Sequence, residues 1–512
     1  MSENATDHTM LQTPVIRPTR KGIRLMLGVV FAAVALVCVY ALESRFAGLA
    51  VEETKISETP VTLYRLDGSP PAPPVIIAHG FAGSRQMMDQ IAVSLARQGF
   101  FVASMDFPGH GRHGGMLSPD ITRIEGTTAQ LVAAVDAVAE AIDARPDTAG
   151  PMSFVGHSMA TDVIIRAAAN RDDVGGVVAI SMYSPAVTES APQALLVLSG
   201  QRETHLRDAG LAAVGQIDPT AVEGETVTSG GVTRRTAVAP FVGHVGVLYA
   251  PTTLDETTTW LRDVNGAGQA APLDRTGWVA GVLFASLVLL LWSLAAFIPK
   301  RKQPTPPPIN PRTFVASILL PIPPVLLLAL LPTFGIAGFA AFGSLAMAFA
   351  MWGVVQLAIL TRAGHRLAEP DLPSLAIYLI AALVFALALD RCGAAFLPSG
   401  VRVPVMLGLL LGTVPLMLAD TALVHRAPLR RRVLARLALL VALGGAMALS
   451  PTELGLTFTT VPVLLLFFVV YGTMATWIAT RRGSSGVGLG KGVVLAWAIA
   501  ASTPFFAAAG LG

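Results

Sequence analysis

Val155-Gly156-His157-Ser158-Met159-Ala160 follows a short apolar run, Met152-Ser153-Phe154-Val155, and leads into a helix-like segment from Thr161 to Arg171. A serine set between a strand and a helix, with small residues two positions to either side, reads as a nucleophile elbow. The small residues let the backbone turn sharply, so that the serine Oγ stands exposed above a sheet. The last small residue, glycine in the general pattern, is here Ala160. Its methyl group adds bulk where helix and strand pack but removes no reactive group.

The sequence around the elbow alternates short strands with amphipathic helices. The expected strands are Val61–Leu66, Val75–Ala78, Phe101–Asp106, Ser153–Val155, Gly176–Ser181, Ala194–Leu198 and Thr236–Pro240. Helices are expected over Arg85–Gln98, Thr127–Ala144 and Thr161–Asn170, where apolar residues recur at helical spacing. This alternation is the pattern of a mostly parallel sheet covered on both faces.

Four local patterns occur in order along this α/β segment. His79-Gly80-Phe81 follows a strand, and Asp106-Phe107-Pro108-Gly109-His110-Gly111-Arg112 follows the next. The elbow Gly156–Ala160 comes third, and Gly200-Gln201-Arg202-Glu203 follows a later strand, with His244 before a last helix ending near Trp260-Leu261. Taken together, residues 60–265 resemble the α/β-hydrolase superfamily, in particular its serine esterases and lipases. The resemblance implies a triad in which Ser158 attacks an acyl carbonyl, His244 is the general base and Glu203 orients the imidazole. Serine, acid and histidine follow one another in the family's order. The backbone N–H groups of Phe81 and Met159 would form the oxyanion hole, where losing one donor costs about 3 kcal/mol of transition-state stabilisation. The family more often has Asp where Glu203 stands; Asp208 and Asp218 are the alternatives, both farther from the strand end. No cofactor is implied. His110 and His113 lack a third ligand at metal-site spacing, and a structural loop is the expected reading, with no metal.

Composition sets the context of this domain. Of 512 residues, 53% are hydrophobic and only 13% charged, about half the charged share of an ordinary soluble protein. The mean hydropathy is +0.62. The apolar excess is uneven, because residues 43–275 read as a soluble domain and nearly everything after them is apolar. Nine membrane spans are expected, at about 25–42, 278–298, 313–333, 336–360, 373–390, 403–424, 432–450, 456–480 and 488–509. The first follows Arg17, Arg20, Lys21 and Arg24 and lacks a small-x-small cleavage site, so it reads as a retained anchor.

With the N-terminus in the cytoplasm, the inner loops hold Lys300, Arg301, Lys302, Arg312, Arg362, Arg366, His425, Arg426, Arg430, Arg431, Arg481 and Arg482. The outer loops 334–335, 391–402 and 451–455 hold only Arg391 and Arg402, as the positive-inside rule requires. The expected organisation is a cytoplasmic tail (1–24), an anchor (25–42), an α/β-hydrolase domain (43–275) and an all-α transmembrane domain of about eight helices (278–510). The chain is thus expected to be an integral protein of a bacterial inner membrane, with the hydrolase domain periplasmic or extracellular. Basic residues that flank spans are a topology signal, and no nucleic-acid partner is expected. Cys38 lies inside the first span and Cys392 near the end of another, a placement that disfavours a structural disulfide.

The membrane setting points to an amphiphilic or lipid-derived acyl substrate. Acyl transfer on the same triad, or a transporter or scaffold with a binding-only hydrolase-like domain, are the competing readings. Only about a dozen residues separate Ser181 from Ala194, too few for a helical lid, so the eight-span region is the expected cover of the site. Pro321, Pro323 and Pro324 are expected to break the third span. Asp420 sits near the inner end of the sixth span and reads as a structural acid at the interface, and Gly486–Lys491 imitates a phosphate loop without its required spacing.

Overall fold

The computed structural model describes residues 19–301, 308–365, 369–451 and 454–508. Arg17, Lys302 and Arg366, most of the expected tail and positions 509–510 of the last domain lie outside the described residues.

Helix α1 (Arg20–Ser44) starts five residues before the expected span, because Thr19 caps it by accepting the Gly22 N–H on its Oγ1. Strand β1 (Leu49–Ile56) follows and pairs antiparallel with β2 (Thr59–Leu66). The sequence reading missed β1 because it is a half-exposed edge strand whose centre, Glu52-Glu53-Thr54-Lys55, is polar. Next come β3 (Pro74–Ala78), a 3-10 turn over Arg85–Met88, α2 (Asp89–Arg97) and β4 (Phe101–Met105). A short irregular turn over Ile124–Thr128 opens α3 (Ala129–Asp143), followed by β5 (Met152–His157), α4 (Met159–Ala169) and β6 (Val174–Ile180). The α/β part ends with β7 (Ala194–Gly200), α5 (Thr204–Gly215), β8 (Thr226–Ser229), β9 (Val232–Ala239) and α6 (Pro251–Asn265). β8 is a second unforeseen strand, four residues long, pairing antiparallel with β9.

The sheet runs β1-β2-β4-β3-β5-β6-β7-β9-β8 and is parallel from β4 to β9. Side chains alternate between its faces with the two-residue period of a strand. Ile76, Phe154 and Val177 join α3 and α4 in one apolar core, whereas Val75, Val155 and Val178 join α2 and α6 in the other. Each fully buried Val, Ile or Phe contributes about 1.5–3 kcal/mol, so the strand centres hold the sheet between its helix layers.

The helical part begins with α7 (Gly277–Leu294), which packs against α1 through Ala35, Cys38, Leu42, Val279 and Leu283. At the other end of this antiparallel pair, Arg24 lies over the Trp292 ring, 3.4 Å from its centroid. The third expected span is two pieces, α8 (Pro311–Leu319) and α9 (Ile322–Leu328), interrupted at Pro321 as the proline cluster dictates. α10 (Phe342–Arg362) starts six residues later than expected, since Gly338 and Ala341 both take positive φ. α11 (Leu372–Cys392), α12 (Arg402–Val424) and α13 (Leu429–Leu449) keep close to their expected bounds. The eighth span is again two helices, α14 (Thr460–Val469) and α15 (Tyr471–Arg482).

α16 (Ser485–Ser502) stops seven residues before the expected end of the last span. Pro504 disfavours helix at Thr503, which is extended at ψ 132°. The chain then turns back, and the Phe505 and Ala507 N–H groups donate to the carbonyls of Gly109 and Leu117. Among the described residues, nine helical segments are long and apolar enough to cross a membrane.

The helical part has two dissimilar ends. At one, Arg301 and Arg482 pair with Asp371, and the Arg481 side chain donates to carbonyls of the 296–298 turn. At the other, Arg391 pairs with Glu43, Arg112 with Asp390, and Arg402 reaches the loop after β4. Asp420 is buried in an ion pair with Lys491 and lies 3.4 Å from Arg436. The glycine-rich stretch before Lys491 is the first part of α16, its Gly492 held against the backbone of Val414.

Candidate active site

Ser158 joins β5 to α4 with φ 55° and ψ −118°. For a residue with a Cβ this conformation is strained, and such strain persists only where surrounding packing enforces it. Here the enforcing contacts are close on both sides. A Cβ on Gly156 would stand 2.9 Å from the Ala160 carbonyl, and one on Gly80 would stand 2.8 Å from His157 Nδ1 and 3.0 Å from Ser158 Cβ. Ala160 itself is fully buried in the apolar core, so its methyl is accommodated.

Ser158 Oγ donates to His244 Nε2 at 2.8 Å, and His244 Nδ1 donates to Glu203 Oε1 at 2.6 Å. These partners fix the imidazole as the Nδ1–H tautomer, with Nε2 free to accept a proton. Glu203 stands three residues after β7, as the residue that precedes α5, and its second oxygen accepts from the Gly200 N–H at 2.6 Å and the Ser181 hydroxyl at 2.9 Å. Burial alone would raise the Glu203 carboxyl; the hydrogen bonds from His244, Gly200 and Ser181 outweigh it and hold the group below the usual carboxylate range. Of the two alternative acids, Asp208 lies farther along α5, and Asp218 accepts from the Thr220 N–H and hydroxyl in its own turn.

Met159 is the first residue of α4, so its N–H has no acceptor within the helix. Phe81 lies in the turn after β3, and both residues line the cavity that Ser158 and His244 face. His79 shapes that turn: its Nδ1 donates to the Gly80 carbonyl at 2.7 Å, and its Nε2 accepts the Phe107 N–H at 3.1 Å. The Asp106 carboxylate fastens the neighbouring loop by accepting from the Arg85 and Arg112 N–H groups at 2.8 and 3.0 Å. His110 donates to the Pro108 carbonyl from Nδ1, and His113 accepts the Gly115 N–H, both within one loop.

Two parts of the site escaped sequence reasoning. The sequence marks Ser181 only as the end of a strand, yet its hydroxyl is one of the donors to the Glu203 carboxylate. His157 Nε2 donates to the His244 carbonyl at 2.8 Å and holds the loop that carries His244. Burial drives His157 down to about 4, so it remains a neutral donor. The helical part supplies the far wall of the cavity, as the missing lid led one to expect. Pro451, Leu456, Phe458 and Phe506 come from the helical part and enclose, with Phe81, Leu117 and Met159, a space of about 750 Å³ over Ser158. The Phe458 ring stacks on Phe81 at 5.5 Å and 4°.

Residues 69–220 match the family model Hydrolase_4, described as serine aminopeptidase, S33. No curated protein matches the chain. Among solved structures, a CIB-like hydrolase from Thermoplasma acidophilum is similar at 16% identity and a TM-score of 0.34, over 42% of this chain and 100% of that one. A dienelactone hydrolase from Anabaena variabilis gives 17% identity and 0.34, over 43% and 100%. A membrane phospholipase A, called a bacterial virulence factor, gives 15% and 0.32, over 48% and 96%. The fold is that of the α/β hydrolases, with a mostly parallel sheet, and it is followed by a helical region with several long apolar helices.

Proposed function

We propose that this chain is a membrane-anchored serine hydrolase that cleaves acyl esters with its catalytic domain on the outer side of the membrane. Ser158 Oγ bonds to the acyl carbon while His244 Nε2 takes its proton, and Glu203 stabilises the resulting imidazolium. The Phe81 and Met159 N–H groups face the developing oxyanion. Collapse breaks the bond to the leaving alkoxide, which takes the proton from His244. Water then attacks the acyl-enzyme with His244 again as base, and the acid and free Ser158 are released.

The observation that carries this reading is the unbroken hydrogen-bond chain from Ser158 through His244 to Glu203, on a strained elbow opening into an apolar cavity. The membrane setting is supported by a belt of exposed Leu, Val and Ile along the helical part, a surface that water disfavours. The outward orientation is supported by charge. The described basic residues of four loops gather at one end, and the α/β domain caps the other.

Labelling with a fluorophosphonate probe in native membranes tests the chemistry. Wild type is expected to label, and Ser158→Ala and His244→Ala are not. A wild type that stays unlabelled, or a Ser158→Ala variant that still labels, overturns the assignment.

A further inference from the structure

Phe458 is 53% exposed although its ring covers Phe81, and it stands two residues before α14. Exposed residues continue from it as Pro462, Leu465, Leu466 and Val469. Their offsets of 4, 7, 8 and 11 place them on one helical face. That face is an apolar track from the exposed side of α14 to the lip of the cavity.

Across the lip, the segment before α3 presents Ile121 and Ile124, which are 58% and 52% exposed. Two branched aliphatic side chains held in water at a cavity rim lose stability there unless an apolar partner covers them. Behind the rim the cavity is lined by Leu456 and Phe506, which are buried in the same core as the α/β domain's own residues.

We propose that the substrate is a long-chain acyl ester resident in the outer leaflet, and that its chain slides in sideways along α14, between Phe458 and the Ile121–Ile124 rim, to lie against Leu456 and Phe506. The proposal rests on the serine-hydrolase reading and narrows it from acyl esters in general to membrane-resident ones. The helical part is then a substrate guide as well as an anchor. The carbonyl that reaches the Phe81 and Met159 N–H groups carries its hydrocarbon directly under Phe458.

The test uses the full-length protein in nanodiscs and nitrophenyl esters from acetate to palmitate, with fluorophosphonate labelling run on each sample. Wild type should gain about fourfold in kcat/KM per added methylene, the worth of one buried CH₂, until the cavity is filled. Leu456→Trp should move the optimum to shorter chains. Ile121→Arg combined with Ile124→Arg alters only exposed side chains and should lower the palmitate-to-acetate ratio at least tenfold. A wild type that labels but shows a flat or falling chain-length profile overturns this proposal alone, as does a ratio unmoved by both variants. Failure of wild type to label overturns the hydrolase reading and this proposal with it.

Discussion

Arg402, the first residue of α12, donates from Nη2 to the Gly109 carbonyl at 3.0 Å. Its Nε donates to Gly111 at 2.9 Å, and Nη1 to the carbonyls of Ala500 and Thr503 at 2.8 and 3.2 Å. The side chain is 3% exposed and lies over the Phe505 ring at 4.4 Å. One planar fork thus ties the loop after β4 to the end of the last helix. The compact ammonium of a lysine cannot span four acceptors in this geometry.

Arg402→Ala should therefore strand buried carbonyls in two parts of the molecule at once. A loss of about 3 kcal/mol is expected, typical of breaking a buried charged network. Thermal unfolding in detergent would register it, and Arg402→Lys should recover less than half. An Arg402→Ala protein as stable as wild type would refute the coupling.

Glu203→Gln keeps the shape of the acid but cannot hold His244 in the Nδ1–H tautomer. By analogy with the equivalent change in a serine protease triad, kcat should fall roughly 10³–10⁴-fold with little change in KM. Steady-state hydrolysis of a nitrophenyl ester measures both. Ser181→Ala, which removes one of three donors to the same carboxylate, should cost roughly tenfold in kcat.

Acid should destabilise the catalytic domain in a defined window. Burial keeps His157 neutral down to about 4 in the folded protein, while an unfolded histidine takes its proton near 6.5. Below that value the unfolded chain binds more protons, so the contribution is complete above about 6.5 and is lost as pH falls towards 4. The buried His79 and His110 imidazoles are lowered by burial as well and add to the same slope. His157 alone accounts for about 3 kcal/mol across the window. Melting temperatures from pH 7 to pH 4 should fall, and His157→Gln should flatten the curve.

Asp420→Asn should destabilise the helical part by roughly 3–5 kcal/mol, because it leaves Lys491 buried without its carboxylate. Asp420→Leu combined with Lys491→Met should restore stability and retain fluorophosphonate labelling if the pair is structural. Loss of labelling in a stable double variant would instead show that the pair serves the reaction.

What the sequence disclosed follows from how local each signal is. The elbow, the loop Asp106–Arg112 and the strand cores depend on neighbours within a few residues, and the strands expected from them recur with nearly the same bounds. Glu203 was legible because it stands three residues beyond a strand end, although only the structure brings it to His244. β1 and β8 were missed as short, polar edge strands with little burial to betray them. Pro504 carried a readable stop signal for α16 that the surrounding apolar residues masked. That the helical part covers the site was legible from the short connection between Ser181 and Ala194, but the residues that do so were not, since Leu456 and Phe506 reach the Ser158 cavity across some 300 residues of chain and nothing local marks them.

The return of the chain over Thr503–Ala508 gives the molecule a timetable. Chains emerge from the ribosome N-terminus first, at about 5–20 residues per second. The sheet, the elbow and all three residues of the Ser158–His244–Glu203 chain are made before the first helix of the second half. Yet Phe506, which lines the far wall of the cavity, and Phe505, which pairs with Gly109 and Leu117, appear only after α16. The early half then holds these three residues, but its pocket has no far wall until the helices up to α16 have been made. On the proposed function, a hydrolase built in this order has no finished acyl pocket while it is still being threaded into the bilayer whose lipids it would meet.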